Sequence, residues 1–356
     1  MPTLRAPDDR IVPATGGERL ANLADAAVTG PGRAGLGRAG LGRPARHSPT
    51  RVRAAQGAGI GLGLVSAMFF GTSGTFGSAL IAAGWSPAAA VLARVCVAAL
   101  TLTVPALIAL RGRWGLLRRS ARLVVTYGLV GVAACQVCYF NAIARMDVGI
   151  SILLEYLGIV IIVGWLWARH GQRPRPLTVL GGVAALSGLA LMLQLSGSGG
   201  VSLAGVLWAL SAAVAMAVYF FQSAQKTGAD GDDELPATVL TWGGMVTGAA
   251  AIALLGLAGL VPLRFDAADV TLQSTRVSWV VPVLGLGVLA AAIAYVTGIG
   301  AVRRLGPKLG SFVAMAEVLF AAGFAWLLLH QVPTGMQFLG GLLILAGVVA
   351  VRLDES

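Results

Sequence analysis

A chain of 356 residues with 57% hydrophobic and only 12% charged side chains holds far more apolar surface than a soluble domain buries, since such domains run at roughly 25% charged. The net charge of +11 would suit nucleic acid, but most Lys and Arg lie in an N-terminal tail or in loops beside apolar runs, so it reads as membrane topology and a nucleic-acid partner is excluded. Cys135 and Cys138 lie inside an apolar stretch with no His or second Cys pair nearby, so neither a disulfide framework nor a zinc site is expected, and no metal or cofactor.

Residues 1–55 are rich in Gly, Pro, Arg and Ala, with GRAGL repeated in tandem from Gly32 to Leu41, and lack a sustained apolar period. They are expected to form a disordered, basic, cytoplasmic tail whose arginines lean on anionic lipid. No apolar core with a small-residue cleavage site precedes the first long apolar run, so a secretory signal peptide is not expected.

Beyond the tail no Asp, Glu, Lys or Arg occurs from Ala54 to Ala93, from Pro176 to Gln225 or from Val318 to Val351. Each run exceeds the ~20 residues that one crossing needs, so each holds more than one helix. Spans are predicted near 57–82, 87–110, 121–143, 147–168, 176–195, 202–224, 236–262, 278–301, 308–329 and 333–352. The expected fold is therefore all-α, a polytopic membrane protein of ten transmembrane helices. With the N-terminus inside, cytoplasmic loops hold Arg111, Arg113, Arg118, Arg119, Arg122, Arg169, Arg173, Arg175, Lys226, Arg303, Arg304 and Lys308, whereas the opposite loops hold only Arg145, Arg264 and Arg276. That asymmetry is what positive-inside orientation requires, and it places a multi-pass chain in the plasma membrane of a bacterium with both termini cytoplasmic.

Leu180-Gly181-Gly182, followed by Leu186 and Gly188, recurs as Leu339-Gly340-Gly341 with Leu345 and Gly347 at identical spacing. Pro87 to Leu92 opens the second span much as Pro236 to Leu240 opens the seventh. Two five-helix halves, 56–196 and 201–352, are expected. Because five is odd, the second half enters the membrane from the opposite side, giving inverted repeats suited to alternating access. The glycines, seven apart on one helix face, are read as close-packing positions.

Of fifteen carboxylates, only Glu155 and Glu317 fall deep inside predicted spans, the fourth and the ninth, at similar places in the two halves. A charge at the bilayer centre costs on the order of 2.5–3.5 kcal/mol even on insertion scales, so each should face the bundle interior, find a partner or bind a proton. A carboxyl between an apolar wall and a wet cavity is a candidate proton carrier, or a site for a substrate ammonium; the bland alternative is a helix-tethering group. Arg94, in the second span, is the basic residue set well inside the membrane; it pairs with Glu155 or a substrate carboxylate, or snorkels to the headgroups. Polar and aromatic groups are scattered around these charges: Thr72, Ser73, Thr75, Gln136, Tyr139, Asn141 and Tyr156 in the first half, Trp208, Tyr219, Gln222, Trp242 and Tyr295 in the second. Tyr139, Asn141, Tyr156, Trp208 and Tyr295 join the two glutamates and Arg94 as candidate substrate- or proton-binding residues. No phosphate-binding glycine loop, zinc motif or nucleophile elbow is present, so an enzyme is not expected.

The stretch from Met146 to Gly158 (MDVGISILLEYLG), running on to Leu180–Met192, resembles the first repeat of EamA-type transporters of the drug/metabolite transporter superfamily. Leu305 to Phe320 (LGPKLGSFVAMAEVLF), followed by Ala325–Val349, is similar to the second repeat. The resemblance covers about residues 57–352 and implies a ten-helix inverted-repeat carrier with a central site, of a kind that commonly exports amino acids, other metabolites or drugs. The Leu-Leu-Glu-Tyr-Leu-Gly element is also similar to that of threonine/homoserine exporters, which adds weight to Glu155. Two departures stand out: His330-Gln331 replaces a frequent Gly-Glu, and Ile159 and Val318 stand where many members carry Pro near the glutamates.

The expected function is secondary transport of a small-molecule substrate, export of amino-acid-like or amphipathic solutes with proton coupling. The alternative is import or exchange of polar metabolites such as sugars or nucleotide precursors without proton coupling. A membrane enzyme or non-transporting scaffold is disfavoured by the lack of a catalytic constellation. Membrane lipid is the other partner, and a monomer is expected, with a dimer as the alternative.

Overall fold

A computed structural model of the chain describes residues 49–146, 148–171, 173–192, 202–225, 234–272, 275–320 and 334–355. The GRAGL tail and the His330-Gln331 pair lie outside the described residues. Seven helices among those described are long and apolar enough to cross a membrane: Gln56–Ala82, Pro87–Ala109, Ala121–Ile143, Ser151–Arg169, Leu203–Ala224, Ala237–Leu257 and Val280–Ala314. The stretch expected as the fifth span forms a shorter apolar helix.

In chain order the elements are α1 (Pro49–Phe70), α2 (Ser73–Ala82), α3 (Pro87–Ala109), α4 (Trp114–Arg119), α5 (Ala121–Thr126), a π-helical segment π1 (Tyr127–Ala134) and α6 (Cys135–Ile143). Then come α7 (Val148–Tyr156), α8 (Gly158–His170), α9 (Pro176–Met192), α10 (Leu203–Ala224) and α11 (Ala237–Leu257). After the strands β1 (Val270–Leu272) and β2 (Thr275–Val277) follow α12 (Val280–Leu284), a second π-helical segment π2 (Gly285–Ile293), α13 (Ala294–Ala314) and α14 (Gly335–Glu355). The start of α3 shows why its boundary falls where it does. Ser86 accepts from the Ala89 amide at 3.3 Å and Pro87 takes the first helical position, where its missing N–H costs nothing.

The mostly helical chain departs from the expected all-α fold in one loop. The chain is not wholly helical: β1 and β2 pair antiparallel, Val270 opposite Val277, in the segment after α11, which ends at Leu257 and not near 262. That segment folds back on the turn before α3: Ser86 Oγ donates to the Pro262 carbonyl at 2.7 Å, and Trp85 Nε1 donates to the Asp266 carbonyl at 2.6 Å. These bonds satisfy a loop too long to run free across the end of α2. Two helical stretches meet end to end at a kink at Gly306, between the spans expected near 278–301 and 308–329. Gly306 sits at φ 78° and ψ 167°, a conformation that costs a residue without Cβ little, and Pro307 follows it.

The packing pairs come in matched sets. α1 packs on α13 as α10 packs on α6, π2 packs on α3 as π1 packs on α11, and α9 packs most extensively on α14. The helical distortions recur in the same way: the π segment from 127 returns at 285, and a helix break at 157 returns at 315, the same interval in each case. In the α9–α14 contact the repeated glycines meet each other. A Cβ at Gly181 would lie 2.8 Å from the Gly347 carbonyl oxygen, and one at Gly188 would lie 2.5 Å from that of Gly340. The earlier glycine of one helix thus faces the later glycine of the other, so the two helices cross antiparallel at backbone contact. Outward faces keep Leu100, Val104, Leu254 and Leu342 exposed, as lipid contact requires.

Gly188→Ala therefore places a methyl against backbone that cannot yield, and should destabilise the protein by about 1–3 kcal/mol. Gly164→Ala, whose added Cβ meets nothing within 4 Å, should be neutral or stabilise by up to about 1 kcal/mol through helix propensity. Thermal unfolding midpoints of the two variants in detergent, moving in opposite directions, would check the contact.

Candidate functional site

A cavity of about 260 Å³ lies in the middle of the bundle, lined by residues from both matched regions of the chain. The α1–α2 break supplies the first wall, with Phe70, Gly71, Ser73 and Thr75. The break is local: Thr72 N bonds the Phe69 carbonyl three residues back at 3.2 Å, and Thr72 Oγ1 donates to the same carbonyl at 2.7 Å, so hydroxyl and amide compete for one acceptor and the helix tightens. π1 and α6 supply Gly131, Cys135, Gln136 and Tyr139; α10 supplies Met216, Tyr219 and Phe220; α13 supplies Tyr295. The aromatic rings form a continuous surface, Phe70 to Tyr295 at 5.1 Å between centroids, Tyr295 to Tyr219 at 5.4 Å and Tyr219 to Phe220 at 5.1 Å.

Both candidate carboxyls line this cavity and are only partly buried. Glu155 stands in the last turn of α7, two residues before the break at Leu157, and the Cys135 thiol donates to its Oε1 at 3.7 Å. Glu317 stands two residues after the break at Met315. Each break is a tightened turn: Leu157 N bonds Leu154 O and Val160 N bonds Leu157 O, while Met315 N bonds Phe312 O and Val318 N bonds Met315 O. No proline is needed at Ile159 or Val318 for the helices to break beside the glutamates. Tyr156 Oη donates to the Ala314 carbonyl at 2.8 Å, stitching the end of α7 to the end of α13 one turn from Glu317. Two carboxylates facing one cavity repel when both are ionised, and a shared proton or a bound cation relieves that repulsion.

Arg94 does not snorkel. It is 1% exposed, and no carboxylate lies within ion-pair distance among the described residues. Its Nη1 donates to Ser73 Oγ at 2.8 Å and to Gln136 Oε1 at 2.6 Å, and its Nη2 donates to the Ala290 carbonyl in π2 at 2.5 Å. The π geometry explains this last partner: an i→i+5 pattern displaces carbonyls from the regular ladder and frees them to turn inward. Gln136 then donates through Nε2 to Tyr295 Oη at 2.8 Å. Arg94 thus stands one layer behind the cavity and holds Ser73, Gln136 and, through Gln136, Tyr295.

Of the sequence-predicted site residues, Glu155, Glu317, Tyr139, Tyr156 and Tyr295 come together on the cavity wall, and Arg94 supports it from behind. Asn141 and Trp208 are not among the lining residues. Asn141 Nδ2 donates to the Val137 carbonyl at 2.8 Å and Asn141 Oδ1 accepts from Arg145 at 2.8 Å, while the Arg145 guanidinium lies 6.0 Å over the Trp208 ring. Those three close a separate polar cluster at the end of α6. Sequence reading passed over Phe70, Gly131, Met216 and Phe220, since an apolar residue in an apolar span carries no signal of facing a cavity. Cys135, for which the sequence suggests neither a disulfide nor a zinc site, lines the cavity beside Glu155. Among the described residues no group of three His, Cys, Asp or Glu side chains can hold a metal ion.

Arg94→Met would leave the Gln136 and Ala290 acceptors without their donor, at about 1–3 kcal/mol for each buried group left unmade. A fall in thermal midpoint well beyond that of Ser73→Ala, which removes one acceptor and keeps the guanidinium's other bonds, is the outcome expected from unfolding in detergent.

Two curated relatives and one solved structure place this arrangement among known proteins. The inner membrane transporter YicL of Salmonella typhimurium is 25% identical over 67% of this chain and 75% of its own length. A protein of Streptantibioticus cattleyicolor named probable terminal-alkyne amino-acid exporter is 27% identical over 76% of this chain and 85% of its own. A crystal structure superposes with a TM-score of 0.64 at 21% identity, over 83% of this chain and 97% of that one, and shows a shared fold. The EamA-like transporter family matches twice, at residues 57–194 and 203–353, which together take in most of the chain. The chain therefore belongs to the EamA-like transporter family, within the drug/metabolite transporter superfamily, and is a multi-pass membrane transporter and not an enzyme.

Proposed function

We propose that the protein exports amino-acid-like or amphipathic solutes by alternating access, with proton movement through Glu155 and Glu317 coupled to that of the substrate. The observation that carries the reading is the meeting of these two carboxyls, one from each half, on the wall of a single cavity that six aromatic side chains also line. A substrate ammonium and a proton compete for the same carboxylates, so binding one displaces the other, which is the minimum requirement for exchange. The aromatic surface suits an apolar side chain, and the amino-acid exporter among the relatives supports this substrate class.

In this reading the chain has ten spans in two inverted halves, 56–196 and 201–352, set in the inner membrane with both termini cytoplasmic. The matched packing pairs, the recurrence of the π segments and the antiparallel glycine contact support the inversion. The arginine distribution and the inner-membrane assignment of YicL support the placement.

In proteoliposomes, Glu155→Gln and Glu317→Gln should each lower efflux driven by an imposed pH gradient by about tenfold or more, the factor that ~1.4 kcal/mol of coupling supplies. Counterflow without a gradient should persist in at least one of the two. Gradient-driven flux unchanged in both variants would favour uncoupled exchange of polar metabolites in place of proton-coupled export.

A further inference from the structure

The central cavity ends at Tyr219, but a line of buried polar atoms continues beyond it. Tyr219 stacks on Tyr127 at 5.8 Å between centroids, and the fully buried Tyr127 hydroxyl interacts with the side chains of Ser223 and Tyr219. In the last turn of α10, Ser223 joins the two tyrosine hydroxyls, and Gln222 Oε1 is buried without a hydrogen bond among the described residues while Gln222 Nε2 donates to Thr126 Oγ1 at 3.0 Å. Gly131 joins the two regions: it lines the central cavity, and a Cβ at its position would lie 3.5 Å from both Gln222 Oε1 and the Tyr127 ring.

On the far side of this seam is Arg303. Its side chain is 10% exposed; Nη1 donates to the Leu235 carbonyl at 2.7 Å and lies 3.3 Å from Glu234 Oε1, while Nε and Nη2 have no partner among the described residues. Arg303 also lines a second cavity of about 450 Å³, with Glu234, Gly300 and Arg304. Hydroxyl, amide and guanidinium groups are costly to group in an apolar bundle, and groups of this kind are what a hydrated passage offers a polar solute.

We infer that the translocation path runs from the central cavity past Tyr219 and Tyr127 to the second cavity, along a seam of Gln222, Ser223 and Arg303, and that the Arg303–Glu234 ion pair clasps this end shut. Gly300 and the bend at Gly306 bracket Arg303 on α13, so release of the clasp frees a helix already broken three residues on. The seam takes polar or zwitterionic solutes, because it presents donors and acceptors side by side. The inference rests on the transporter reading above, since a chain that moved nothing would have no use for a second half of the path.

The test is thiol labelling of Ser223→Cys in the full chain in proteoliposomes, with sulfonatoethyl and trimethylammonioethyl methanethiosulfonate applied from the side of the second cavity. Labelling is read by mass spectrometry on the peptide that carries the substitution. With Glu234 intact it should be slow; Glu234→Gln should speed it by about fivefold or more with both reagents, and Glu234→Asp should return it to the slow rate. Agreement between reagents of opposite charge separates opening of the path from a change in local potential. Leu207→Cys, on the exposed face of α10, should show no change, which excludes general loosening. If Glu234→Gln does not yield folded protein, raising ionic strength to about 1 M on Ser223→Cys alone should accelerate labelling by screening the pair through its partly exposed Glu234. No labelling in any form, or a rate indifferent to residue 234 and to salt, would overturn the inference. The readout needs neither substrate nor proton gradient, so it stands or falls apart from the flux of Glu155→Gln and Glu317→Gln.

Discussion

A permanently charged guanidinium buried at 1% exposure is the constraint around which the centre of this protein is arranged. Arg94 cannot shed its charge, and in an apolar bundle that charge must be met by acceptors at hydrogen-bond distance. The acceptors come from three separate elements: a hydroxyl at the start of α2, an amide on α6 and a main-chain carbonyl on π2. Each of these elements departs from a plain helix close to the contact, by a break before α2, by π1 leading into α6 and by π2 itself. The irregularities that open the cavity and the contacts that hold Arg94 are therefore one feature of the structure. Helix breaks at membrane depth are tolerable where they face a cavity or protein, and this is where they occur.

The opposite end of the cavity follows a different logic. Glu155 and Glu317 lie beside tightened turns at Leu157 and Met315, where local hydrogen bonding replaces a proline kink. Arg94 forms no ion pair with either carboxyl among the described residues and stands behind the wall of the cavity that both carboxyls face. A site built in this way leaves its carboxyls available to a proton or a cationic group. Elsewhere α9 and α14 form a close-packed pair with glycine on both sides of the contact.

Much of this was legible before any coordinates. The apolar runs located the helices, the Leu-Gly-Gly repeat located the α9–α14 contact, and the rarity of carboxylates in apolar spans singled out Glu155 and Glu317. Reading failed where a residue's role depends on direction. Asn141 and Trp208 look as eligible as Tyr139 and Tyr295, yet the first two turn towards Arg145 and the other two towards the cavity. A π segment shifts the register of every residue after it, so helical periodicity carried through 127–134 or 285–293 points to the wrong face. The β-hairpin was missed because three-residue strands in a polar loop leave too short a pattern to read.

By itself the sequence determined that this chain is a membrane protein of repeated helices with one carboxyl set deep in each half, because the cost of apolar surface in water and of charge in lipid depends on composition along the chain. Only the tertiary structure decided that the two carboxyls share one cavity, that Arg94 is held by neutral groups and not by an ion pair with Glu155, and that Arg303 meets Glu234 at a second cavity. Those are facts of orientation among helices distant in sequence. They are set by where each helix bends and which face its neighbours leave open, and neither is written in any single stretch of residues.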